Sequence, residues 1–77
     1  MASQNAHTQR QRIKRYIMEN GSANTIELRE NLGIMHPSGR VKELVEQEGL
    51  PIVKHLVTVI DSAGETHHGV ALYSIQL

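Results

Sequence analysis

The sequence predicts an α+β domain: three short helices followed by a two-stranded antiparallel β-hairpin. Three observations carry that prediction. Apolar residues recur at helical spacing as far as Val45. Glycines at 21, 33 and 49 punctuate this part of the chain where helices would stop. Beyond Pro51 the residues become β-branched, with one polar break at 61–65.

Each element can be justified in turn. Residues 1–7 are polar and aperiodic, and read as a flexible lead-in to a domain spanning 8–77. Thr8 is placed to cap a first helix over 9–19. In that helix Ile13 and Ile17 lie one turn apart, and Asn20-Gly21 closes it. Asn24 followed by Glu27 has capping-box spacing and opens a second helix, with Leu28 and Leu32 stacked on one side. Gly33 stops it after about two turns, and Ile34-Met35 form an apolar corner. Pro37 suits the first turn of a third helix, because its missing N–H has no partner there anyway. Val41, Leu44 and Val45 form the apolar stripe of this helix, and Gly49 ends it.

Strand signals follow. Residues 52–60 read as one strand, 61–65 as a turn and 66–77 as a second strand. An isolated hairpin is marginal in water, so this pair must pack on the helices.

The chain is 77 residues long, room for one domain and one modest core. It contains no cysteine, which excludes disulfides and thiolate metal sites. No apolar run approaches the roughly 20 residues needed to span a bilayer, and no secretory signal is visible. The expected location is a bacterial host's cytoplasm.

Formal net charge is zero, but the average conceals a division. Residues 1–42 hold seven basic and three acidic side chains, a net +4, and the rest of the chain carries −4. Such asymmetry gives a neutral protein a face that attracts phosphate.

The order helix, helix, tight turn, helix, hairpin is that of a winged helix-turn-helix domain. From Arg12 to Tyr73 the chain resembles the small winged helix-turn-helix domains of bacteriophages and prophages. The landmarks are Gly21-Ser22, Leu32-Gly33-Ile34-Met35, Arg40-Val41, Glu43-Leu44, Gly49 with Pro51-Ile52, Gly64, and Tyr73-Ser74. The resemblance implies double-stranded DNA binding and transcriptional regulation, with the third helix in the major groove and the wing on the backbone or minor groove.

Three surfaces are candidates for that contact. The first is the start of the third helix: His36, Ser38, Gly39, Arg40 and Lys42, with Arg40 suited to guanine and Lys42 to phosphate. Gly39 is costly in a helix, and close backbone approach to DNA accounts for it. The second surface is Arg10, Arg12, Lys14 and Arg15 on the first helix. The third is the wing: Ser62, Gly64, Thr66, His67 and His68. The rival reading is a protein-interaction module, a phage-encoded adaptor or inhibitor of a host protein. A homodimer fits either reading, because the strand at 52–60 has apolar positions on both faces.

No catalytic residue, cofactor or metal site is expected. No phosphate loop or nucleophile motif occurs. His67 and His68 are adjacent on a strand and point to opposite faces, with His55 the one histidine placed to join either across the hairpin.

Overall fold

In a computed structural model that describes residues 5–76, the elements run α1 (Ala6–Asn20), β1 (Ser22–Asn24), α2 (Thr25–Leu32), α3 (Pro37–Glu48), β2 (Ile52–Ile60) and β3 (Thr66–Ile75). The three helices, the stop glycines and the two long strands therefore stand where the sequence predicts them. Both bonds of the capping box at Asn24 form: its side chain accepts from Glu27 N–H, and the Glu27 carboxylate accepts from Asn24 N–H. Glu27 also accepts from the Tyr16 hydroxyl at 2.8 Å, so one carboxylate closes the second helix and ties it to α1.

Three expectations need correction. First, α1 begins inside the stretch read as a flexible lead-in. Asn5, not Thr8, is the cap: its side chain accepts from Thr8 N–H at 2.8 Å, and Ala6 and His7 lie in the first turn. A polar stretch without periodicity hides a helix start, because the first turn requires no apolar face. Residues 1–4 of that stretch, and Leu77 at the other end, lie outside the described residues.

Second, the sheet has three strands rather than a hairpin's two. Its order is β1-β3-β2, with Ala23 opposite Tyr73 and Lys54 opposite Tyr73 on the other side. The three residues of β1 lie between the end of α1 at Gly21 and the cap of α2, and must run extended to join them. The small, buried Ala23 lets β3 come alongside.

Third, one residue of the expected apolar corner and one of the expected apolar stripe point outward. Met35 is 73% exposed and Val45 41% exposed. Ile34 alone plugs the corner between α2 and α3, and its N–H donates to the Leu28 carbonyl after the left-handed Gly33.

The core lies between the helices and one face of the sheet. It comprises Ile13 and Ile17 of α1, Leu28, Ile34, Val41 and Leu44, closed by Ala23 and Tyr73. Complete burial of each aliphatic side chain contributes roughly 1.5–3 kcal/mol before the entropy of ordering is set against it. This packing fixes α3 by its Pro37–Val41–Leu44 stripe and leaves the opposite side of that helix to solvent.

The hairpin is irregular. Val57 pairs with Val70 but Val59 with His67, so Thr58 faces two residues, His68 and Gly69. Gly69 takes φ +66° at this bulge, a left-handed conformation that L-residues enter at a cost. The bulge raises the local twist between the base of the hairpin and its tip.

Candidate nucleic-acid interface

The residue spacing of α3 decides what each side of it can do. With Pro37, Val41 and Leu44 buried, one flank carries Arg40 and Glu43 and the other carries Ser38 and Lys42. The first flank faces α1. Arg40 Nε lies 3.1 Å from Glu43 Oε1, and Arg10 Nη1 donates to the same oxygen at 3.0 Å. The second flank is open: Ser38 and Lys42 are exposed, and Lys42 has only a 3.9 Å approach to Glu46, one turn on. An exposed pair of that length contributes little. His36 is exposed at the cap position and makes no side-chain capping bond. Gly39 follows, with no atom within 4 Å of where a Cβ would stand.

The side of α3 that faces α1 accounts for the charge division seen in the sequence. Lys14 Nζ lies 3.3 Å from Glu48 Oε1, and Gln11 donates to Glu48 Oε2 at 2.8 Å. Arg12 donates to the Leu32 carbonyl at 2.9 Å, at the end of α2 where the helix dipole favours a cation. The basic start of α1 and the acidic end of α3 therefore meet each other. Much of the +4 is neutralised inside the molecule, and of the α1 quartet only Arg15 is exposed without an ionic partner among the described residues.

The wing is pinned rather than free. Asp61 organises its turn: one carboxylate oxygen accepts from Ala63 N–H and Glu65 N–H, each at 2.9 Å, and the other meets His67 Nε2 at 2.7 Å. These contacts, the histidine first, hold the Asp61 carboxyl below its ordinary range. Gly64, at φ +84°, completes the turn. Ser62 donates to Glu30 of α2 at 3.0 Å, so the tip touches the helices.

Asp61, Glu65 and His67 bring potential ligand atoms within 4.8 Å of one another. Both Asp61 oxygens are already engaged by the turn, which accounts for the cluster. His55 pairs with Leu72, five residues along β3 from His67, and does not join His67 and His68. His68 instead meets the Thr58 hydroxyl at 3.3 Å.

Between the pinned wing, α2 and the start of α3 lies an open groove. Val70, Ala71 and Tyr73 of β3 line it, together with Arg29, Ser38, Lys54, Leu56 and Thr66. Of the predicted residues, Ser38, Thr66, His67 and His68 come together here, whereas Arg10, Arg40 and Lys14 lie on the α1 flank. Reading the sequence for runs of basic residues missed Arg29 and Lys54, since neither adjoins another lysine or arginine. The available signal was that Lys54 falls on the same strand face as Ile52, toward the helices.

No helix of the described residues is long and apolar enough to cross a membrane. A family model described as a winged helix-turn-helix domain matches residues 8–76. No curated protein and no solved structure matches the chain.

Proposed function

Because the chain belongs to the winged helix-turn-helix family, we propose that it binds double-stranded DNA sequence-specifically as a transcriptional regulator of phage or prophage type. One observation carries this reading: Ser38 and Lys42 on the outer side of α3 are exposed, and Ser38 lines the groove that the hairpin borders. A helix held rigidly from behind by Pro37, Val41 and Leu44 suits insertion into a major groove. Ser38 and Lys42 then face the duplex, and Gly39 permits the backbone to come close. Arg40 reaches a base edge only by giving up Glu43. Thr66 and the wing turn lie against the sugar-phosphate edge.

Selection of binding sites from random duplexes, followed by anisotropy on the enriched sequence, tests the proposal. The expected result is an enriched motif bound at least a thousandfold more tightly than random duplex, as for specific binders generally. Failure to bind any duplex at low salt overturns it.

A second reading rests on a different observation. Leu56 and Ile60 are exposed on β2, an edge strand of the sheet. Exposed apolar groups on an unpaired edge suit a protein partner, either a second copy or a host protein. Light scattering of the chain alone separates a dimer from a monomer. An oligomer that Leu56→Lys leaves intact removes β2 from consideration.

A further inference from the structure

The described cations differ in one respect that composition does not reveal. Arg10, Lys14 and Arg40 are within 3.3 Å of carboxylates, Lys42 is 3.9 Å from one, and Arg12 is bonded to a carbonyl. Arg15, Arg29 and Lys54 have no ionic partner among the described residues, and two of these three open on the same groove. No aspartate or glutamate lines that groove, although the chain has as many acidic as basic residues. Glu30, next to Arg29 in sequence, is turned to the wing tip by Ser62. Glu27 is occupied by Asn24 and Tyr16. Two cations without ionic partners at a concavity that no carboxylate lines suit an anionic ligand, although Glu27 and Glu30 nearby keep their charge.

We infer that Arg29 and Lys54 form a seat for the sugar-phosphate backbone of a DNA duplex, in the groove between α2 and β2. The inference rests on the DNA-binding reading above and adds to it. The two side chains come from different elements, α2 and β2, and line the same groove. Thr66 and His68 on the hairpin add hydroxyl and imidazole groups suited to phosphate and sugar oxygens. Ser38 also lines the groove, so a strand seated there lies beside the outer side of α3 and sets how that helix enters the major groove. The seat carries no sequence information; it positions the duplex.

The test is the salt dependence of binding by the full chain. Arg29→Ala, Lys54→Ala, the double variant and Lys14→Ala are titrated against the selected duplex and a scrambled one, with folding checked by circular dichroism. Each groove variant is expected to lower the slope of log K against log salt by about 1, and the double variant by about 2. Both duplexes weaken by the same factor, while Lys14→Ala, already neutralised by Glu48, changes the slope far less. Groove variants whose slopes match wild type, in a protein that does bind duplex, overturn the seat and leave the DNA reading standing. Wild type that binds no duplex overturns both. Groove variants that keep duplex binding but lose affinity for a polyglutamate peptide assign the groove to an acidic polypeptide and overturn the seat.

Discussion

Arg10 of α1 places its Nη1 3.0 Å from Glu43 Oε1 of α3, and the same oxygen faces Arg40 Nε at 3.1 Å. One carboxylate thus holds two arginines on the side of α3 that faces α1. Glu43→Gln releases them. The expected outcome is tighter binding to every duplex through Arg10, with a further gain on the selected duplex through Arg40 and a steeper salt dependence, at a stability cost on the order of 1 kcal/mol. Anisotropy titrations at several salt concentrations, paired with thermal melts, check it. Unchanged affinity means that this flank of α3 does not approach DNA.

Gly39 separates stability from binding. Nothing lies within 4 Å of an added Cβ, and its φ is not positive. Gly39→Ala therefore stabilises the domain by up to roughly 1 kcal/mol through helix propensity. If the backbone at Gly39 approaches the duplex closely, the same variant binds DNA more weakly. A more stable variant with unaltered affinity assigns Gly39 no contact.

Asp61 gives the wing a pH dependence of predictable sign. Its folded pKa is depressed, first by the bond to His67 and then by the backbone N–H of Glu65 and of Ala63. The stabilisation is complete above the carboxyl's ordinary value and disappears as pH falls through the lower, folded value. The protection of the Ala63 and Glu65 amides, relative to their intrinsic exchange at each pH, should fall on acidification before that of the core amides does. Asp61→Ala should show the same loosening at neutral pH. Equal protection of these amides in that variant contradicts the assigned role of Asp61.

The bulge at Gly69 sets the direction of the wing. Gly69→Ala places an L-residue at φ +66°, at a cost of about 1–2 kcal/mol. Denaturant melts should show that loss. Backbone shifts around Thr58 and His68 should show the hairpin re-registering if the bulge is expelled.

The features legible in the sequence are those that local chemistry determines. The Asn24–Glu27 cap, Pro37 in the first turn of α3 and the stop at Gly33 each depend on residues a few positions apart. The β-branched run of β2 announced itself for the same reason. Strand β1 did not, because Ser22-Ala23-Asn24 has no period and is extended only through pairing with Leu72, Tyr73 and Ser74, far along the chain. The basic residues of α1 were legible as a cluster but not as half of an ion-paired seam. Their partners, Glu43 and Glu48, sit more than 30 residues away in sequence. Arg29 and Lys54 went unnoticed because what distinguishes them is the absence of carboxylates around the groove, a property of the assembled surface.

The most direct measurement is a titration of isotope-labelled protein with the selected duplex at low salt, following every backbone amide. Shifts should concentrate at Arg29, Ser38 to Lys42, Lys54 and the wing, and fade as salt is raised. Shifts that leave Arg29, Lys54 and α3 unperturbed would contradict a DNA-reading face on this side of the molecule.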